Sequence, residues 1–244
     1  MTAPVTEEKK ARLLNDFTEM MKGLYGDKLI SLNIFGEEAH TEALTVGQTK
    51  FLAILDELGL NELKKYSSVQ AKWAKKGIPA PLMLTPDDLK TSTDVFSIEF
   101  LEMKESYRLL HGKDLLAGLE IGLENLRREC EEQVKGKLLH LRQGYVGSCA
   151  DKAALSMLIA SSVLPFTDAM RNLLRLMGRP VPKRRHEVIA GFCSAAGLKE
   201  APFNEALGLL KKGGRPGLDE LDKLFDVYLK EVSALAEMVD KMTF

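Results

Sequence analysis

A chain of 244 residues, 45% of them apolar, has the length of one large or two modest domains and enough apolar side chain to bury a sizeable core. Its formal charge of −1 excludes a global field that would draw it to nucleic acid or to a membrane surface. Three cysteines, Cys130, Cys149 and Cys193, stand far apart without CxxC spacing, which excludes a disulfide framework and the usual zinc pattern. No apolar run reaches the roughly 18 residues of a membrane span, and Glu7, Glu8, Lys9 and Lys10 leave no room for the apolar region of a signal peptide. The expectation is a cytoplasmic protein in a reducing compartment.

Thr6 is placed to cap a first helix whose opening turn carries Glu7 and Glu8, complementing the positive end of the helix dipole. Leu14, Phe17, Met21 and Leu24 give it one apolar stripe, ended by Gly23 or Gly26. The stretch 29–56, LISLNIFGEEAHTEALTVGQTKFLAILD, reads as strand, glycine turn, polar loop, strand. Ile30, Leu32 and Ile34 alternate with Ser31 and Asn33, the pattern of a half-buried strand, and Gly36 ends it. Phe51 to Leu55 is a second, wholly apolar strand. Asn61 then caps a helix to about Lys76, with Leu63, Tyr66, Gln70 and Trp73 on one side and Gly77 closing it. A short strand over 81–84 meets Thr85-Pro86-Asp87-Asp88, where a capping hydroxyl, a proline and two acids mark a helix start. The run 96–103, FSIEFLEM, is a further strand candidate with Glu99 and Glu102 between apolar residues.

From about Leu115 onward the pattern is helical. Leu119, Leu123, Leu126, Cys130, Val134, Leu138, Leu141 and Tyr145 step by threes and fours along one long helix that Gly147 ends. A strongly apolar helix follows over 150–177, where Pro165 should bend or interrupt the backbone ladder and Gly178 and Pro180 supply the stop. Shorter helices are expected over 182–196 and 204–212. Leu218, Leu221, Leu224, Tyr228, Val232, Leu235 and Val239 define the last one. Arg127, Lys135, Arg142, Arg171, Arg175 and Arg184 make this half locally basic, which in a helical segment reads as a solvated face.

The order strand, Gly turn, strand, helix, strand, helix, acid-bearing strand over 29–112 resembles the nucleotidyltransferase superfamily, the polymerase-beta-like and kanamycin-nucleotidyltransferase-like fold. IPAPLMLTPDDL and VFSIEFLEMKESYRLLHG resemble the middle of a group of bacterial nucleotidyltransferase-like proteins. The helical half is similar in layout to the all-α domains that accompany aminoglycoside-type members. The resemblance implies an α+β fold: a nucleotidyltransferase-like mixed-sheet domain with flanking helices over 1–115, then an all-α helical bundle over 116–244, with the division between about Gly112 and Leu119.

In that family the first strand is followed by Gly-Ser and the second carries two acids one residue apart. Here Gly36 is followed by Glu37, and the usual loop length puts Thr49 and Phe51 at the acid positions. Glu99, or else Glu102, takes the place of the third acid. Acids at i and i+2 of a strand point the same way and so can share magnesium, whereas Thr49 offers one neutral oxygen and Phe51 none. Glu37, joined by Glu38 and Glu42, opposes a phosphate where the turn should welcome it. Gly36, Glu37, Thr49, Phe51 and Glu99 therefore read as a vestigial nucleotide and metal site, with no catalytic residue and no resident metal. The sequence yields three functional readings. The first is a non-catalytic scaffold taking a protein or small-molecule partner in the cleft between its domains. The second is a working transferase of a nucleotide to a small hydroxylated acceptor, with displaced metal ligands and hence magnesium and a nucleoside triphosphate. The third is a helical interaction protein that self-associates through its apolar stripes. His40, in the loop, has no predicted acid or cysteine partner. His111, His140 and His186 lack metal spacing, GxSxG is absent, and the methionines sit at core-filling helical positions.

Overall fold

The computed structural model describes residues 7–36, 39, 49–148, 151–210 and 216–243. The expected cap Thr6 and the expected loop residues Glu37, Glu38, His40 and Glu42 lie outside them, as does Cys149. The chain forms two compact units, Met1–Gly122 and Leu123–Phe244.

The first unit is built on a four-stranded mixed sheet. Its strands are β1 (Leu29–Phe35), β2 (Lys50–Leu55), β3 (Leu82–Leu84) and β4 (Tyr107–Gly112), in the order β3-β2-β1-β4. β1 pairs antiparallel with both β2 and β4, and β2 pairs parallel with β3. Among the described residues four α-helices accompany it: α1 (Glu7–Tyr25), α2 (Leu60–Ala74), α3 (Pro86–Thr91) and α4 (Ser97–Glu105). Side chains alternate across a strand, and here each set finds its own cover. Leu32 and Ile34 of β1 and Phe51, Ala53 and Leu55 of β2 join Leu14, Phe17, Met21, Tyr66 and Trp73 from α1 and α2. On the other face Phe35, Leu52 and Ile54 join Leu89 of α3, Phe100 and Met103 of α4, and Leu116 and Leu119 beyond β4. β1 is thus buried on both faces, not half-buried as its alternation suggests: Ser31 and Asn33 are as inaccessible as Leu32.

Several local readings change in the structure. Residues 97–105 are helical, not a strand. Glu, Leu, Met and Lys favour helix, and Ser97, Phe100 and Met103 turn inward at i, i+3, i+6 while Glu99 and Glu102 stay in solvent. The fourth strand is the next segment, β4. α2 starts from Gly59, whose N–H donates to the Glu62 carboxylate at 3.2 Å, not from Asn61. Its buried stripe is Glu62, Tyr66 and Trp73, with Leu63 exposed. Tyr25 at the end of α1 donates its hydroxyl to the Glu62 carbonyl at 2.9 Å. Burial first, and the Glu62 charge second, push its phenol up to about 12.

The start of α3 matches its signature. Thr85 Oγ1 accepts from Asp88 N–H at 3.1 Å, and the Asp88 carboxylate accepts from Thr85 N–H at 2.9 Å and from its hydroxyl at 2.8 Å. These bonds hold the Asp88 carboxyl below its ordinary value. A depressed folded value stabilises above the unfolded value of about 4 and ceases to as pH falls through the folded one. Thr85→Ala should therefore cost about 1 kcal/mol at neutral pH and flatten the acid limb of a urea-midpoint against pH plot.

The second unit contains α5 (Leu123–Gly147), α6 (Lys152–Leu176), α7 (Arg185–Ala196), α8 (Ala201–Gly208) and α9 (Leu218–Lys241). α5 begins at Leu123, because Leu119 is spent in the sheet core of the first unit. α7 begins later than expected and α8 earlier, and α6 runs through Pro165. By length and composition α6 could cross a membrane, contrary to the reading of the sequence. In the fold it packs against α5, α7, α8 and α9, burying Leu155, Ile159, Val163, Phe166, Met170 and Leu173. The stripe of α9 is also consumed inside the unit. Its Tyr228 is fully buried, edge-on to Phe166 and Phe203 at centroid distances of 6.3 and 5.4 Å, and accepts a hydrogen bond from the Ser162 hydroxyl at 3.2 Å. Part of the basic character is paired: Arg127 binds Glu124 and Glu131, and Lys135 bridges Glu131 to Asp240 of α9.

Candidate functional site

The end of the sheet at which β1 leaves and β2 enters is the place to look for nucleotide chemistry. Gly36 closes β1 with φ of 89°, a conformation that excludes most L side chains. Its peptide groups are already engaged. The N–H donates to the Ser106 carbonyl at 2.8 Å, and the Gly36 carbonyl accepts from the Ser106 hydroxyl at 2.9 Å and from Ala39 N–H at 2.9 Å. The Gly36 amide is thus bound to the residue between α4 and β4. Glu37 falls outside the described residues.

Thr49 and Phe51 do not open onto a cleft. Both are buried, and Phe51, 1% exposed, meets the Phe17 ring at 4.8 Å while Phe17 meets Trp73 at 5.2 Å. Phe51 is therefore a core residue on the α1 and α2 side. Glu99 is exposed on α4, whose inward residues Phe100 and Met103 pack on the opposite face of the sheet. The strand position expected for Glu99 is thus corrected, and Thr49, Phe51 and Glu99 do not converge.

Moving the register by one residue brings the other face of β2 into play. It presents Lys50, whose ammonium lies 5.9 Å from the Phe35 ring centroid, and the buried Leu52. Neither register supplies a carboxylate. On the flanking strand Tyr107 pairs with Phe35 and donates its hydroxyl to both oxygens of Asp114, at 2.9 and 2.8 Å, while Asp114 also accepts from Ala117 N–H at 3.1 Å. Burial, and then Asp114 itself, raise the Tyr107 phenol above its ordinary value. Lys104 donates to the Leu119 carbonyl at 2.6 Å, so 113–121 is tied down across the face that carries Leu52 and Ile54. Among the described residues no three His, Cys, Asp or Glu side chains gather as a metal site.

Sequence reasoning missed Ser106, which lies 70 positions from the glycine it clamps and carries no local signal. It also missed the buried Ser31 and Asn33. In the helical unit a cavity of about 760 Å³ opens beside the start of α6, lined by Lys152, Ser156, Met157, Leu209, Leu210 and Pro216 among others. The helix end there is already capped: the Asp151 carboxylate accepts from Ala153 N–H at 2.7 Å and from Ala154 N–H at 3.0 Å.

The mixed sheet flanked by helices and followed by an all-helical unit is nucleotidyltransferase-like in fold by its likeness to a solved structure. Among solved structures the chain is similar to spectinomycin adenyltransferase AAD(9) from Enterococcus faecialis, determined with ATP and spectinomycin. The TM-score is 0.52 and the identity 11%, over 95% of this chain and 99% of that one. No protein-family model and no curated protein sequence matches.

Proposed function

We propose that this chain is a nucleotidyltransferase-like protein that does not transfer nucleotides and acts as a binding or regulatory scaffold for a protein or small-molecule partner. The observation that carries the reading is the end of β2, where Thr49 and Phe51 on one face and Lys50 and Leu52 on the other leave magnesium without a carboxylate ligand. Nucleotidyl transfer depends on hard oxygen ligands that hold the metal against the triphosphate. One unlike charge pair about 4 Å apart is worth roughly 4 kcal/mol at an effective dielectric near 20, so two missing carboxylates are a large deficit. The occupied amide of Gly36 and the two acids that follow it in sequence, Glu37 and Glu38, act in the same direction. Cys130 and Cys193, free and buried, suit a reducing, cytoplasmic setting.

A second reading, an active transferase with displaced ligands, is favoured by the likeness to a structure holding ATP and spectinomycin. Calorimetric titration with magnesium and each nucleoside triphosphate, together with a mass-spectrometric assay for adenylylated spectinomycin, separates the two. The scaffold reading predicts neither heat of binding at micromolar concentrations nor product. Magnesium-dependent micromolar affinity with turnover establishes the transferase instead.

A further inference from the structure

The stretch 171–186, from the last turns of α6 to the first turn of α7, holds Arg171, Arg175, Arg179, Lys183, Arg184 and Arg185 and no acid. Arg179, Lys183, Arg184 and Arg185 are exposed. Unlike Arg127 and Lys135, Arg179, Lys183 and Arg185 have no ion pair among the described residues, and Arg184 reaches Glu187 at 3.9 Å. A solvated face is the ordinary fate of a charge run on a helix, but the placement here works against the fold. Cations suit the C-terminal end of a helix, where Arg175 sits. Lys183, Arg184 and Arg185 stand instead at the N-terminal end of α7, whose partial positive charge repels them. Arg184 occupies the N-cap position, which favours Ser, Thr, Asp or Asn, and its side chain makes no capping bond. Local choices that oppose the fold, with no gain inside it, point to a demand from outside.

The stretch is also braced. Gly178, with φ of 62°, turns the chain out of α6, its N–H donating to the Arg175 carbonyl at 2.9 Å, and Arg179 N–H donates to the Leu174 carbonyl at 2.9 Å. Pro180 and Pro182 restrict the connection, and the buried Val188 and Ile189 anchor the start of α7. The cations are thus displayed from a segment with little freedom left to lose, which lowers the ordering cost for a ligand that touches several of them at once.

We propose that Arg179, Lys183, Arg184 and Arg185 bind the phosphate backbone of a nucleic-acid duplex without reading its bases. Five of the six cations in the stretch are Arg, whose planar fork matches phosphate oxygens two at a time. A duplex carries one negative charge per ~1.7 Å of its axis, and the counterions it releases turn each such contact into affinity. The stretch contains no Phe, Tyr or Trp, so it offers unpaired bases no stacking platform. None of the large apolar side chains exposed among the described residues lies in it, so it lacks the apolar face that would enter a membrane. The overall charge of −1 does not oppose the contact, because exposed charges are largely screened beyond about 8 Å at physiological salt and the local cations decide. The inference adds a partner to the scaffold reading and does not depend on whether the chain transfers nucleotides.

Fluorescence polarisation of the full chain with a labelled DNA duplex and an RNA duplex of the same length tests it, with phosphatidylserine vesicles and polyglutamate as competitors. Four phosphate contacts predict an affinity that falls roughly 100-fold between about 50 and 200 mM salt. Replacing Arg179, Lys183, Arg184 and Arg185 together by Gln should cost at least about tenfold in affinity at the lower salt and flatten the salt dependence, while the thermal midpoint stays at or above that of the wild type, since charges opposed to the α7 dipole are removed. Replacing Lys64, Lys72, Lys75 and Lys90, exposed cations of the first unit, by Gln removes the same charge and should leave binding near the wild-type value. If the first variant does not fold, the Arg179→Gln, Lys183→Gln pair reads the same loss. A stronger signal with one duplex identifies which nucleic acid is the partner. Absence of binding to both duplexes at the lower salt, an equal loss in the two four-residue variants, or displacement of the duplex by vesicles or polyglutamate at matched charge overturns the proposal.

Discussion

Phe51→Asp is expected to unfold the first unit at neutral pH and to create no metal ligand. The ring is 1% exposed and sits against Phe17, which in turn meets Trp73. Truncating a buried Phe to Ala costs about 3–5 kcal/mol, and an uncompensated carboxylate adds a desolvation penalty of several kcal/mol. The sum rivals the roughly 5–15 kcal/mol that holds a typical domain together. Lys50→Asp provides the comparison: one residue earlier on the same strand, its side chain is exposed, so the variant should fold with a change within about 0.5 kcal/mol. Urea titrations followed by the fluorescence of the single tryptophan, Trp73 in α2, read both. A Phe51→Asp protein with a wild-type midpoint and new affinity for magnesium nucleotide would show that this position faces a nucleotide site after all.

How far the sequence could be read depended on the distance over which each signal acts. The Thr85 cap was legible because its donors and acceptors lie within four residues and bond to one another. The glycine turn at Gly36 was legible for the same reason, but its partner was not, because nothing local points from Gly36 to Ser106. The alternation in β1 marks a strand but not a half-wet one, since the strand is buried on both faces. Ser31 and Asn33 satisfy part of their polar demand with each other, so their presence did not imply solvent. FSIEFLEM could be read with either period, and the competition was decided by helix-favouring residues and by Phe100 and Met103 docking on Leu52 and Ile54. Leu119 fits the helical stripe of α5 by spacing, yet it is buried beneath the sheet, inside the compact unit that ends at Gly122. The stripe of α9 was plain as a pattern. That it would be used up inside its own unit, around Tyr228, was a tertiary fact that spacing does not carry. For the candidate site, the absence of acids at Thr49 and Phe51 could be read directly, whereas the direction in which Phe51 points required its packing partners.

Gly112→Ala should lower the Trp73 unfolding midpoint by the equivalent of about 3 kcal/mol or more. The backbone at Gly112 has φ of 85°, which strains any residue with a Cβ. The space for that carbon is also taken, since it would lie 2.0 Å from the Ile30 carbonyl oxygen and 2.8 Å from the carbonyl carbon. These are backbone atoms of the neighbouring strand and cannot rotate away. The same carbonyl accepts the Lys113 N–H at 2.9 Å, so backing off from the clash also breaks the bond that starts 113–121 on its path over the sheet. The loss should therefore reach Leu116 and Leu119, which that segment carries into the core. Gly136→Ala in α5 is the opposite case: nothing lies within 4 Å of its added carbon, the site is inside a helix, and the exchange should stabilise by about 1 kcal/mol, read by far-UV circular dichroism. Gly144→Ala falls between them, because its carbon meets the Leu158 side chain, which can yield at some expense of the α5 and α6 packing. An unchanged Trp73 midpoint in Gly112→Ala would mean that β4 does not pair with β1 in the register Ser31 to Gly112, and with it the bulged, polar middle of the sheet would have to be redrawn.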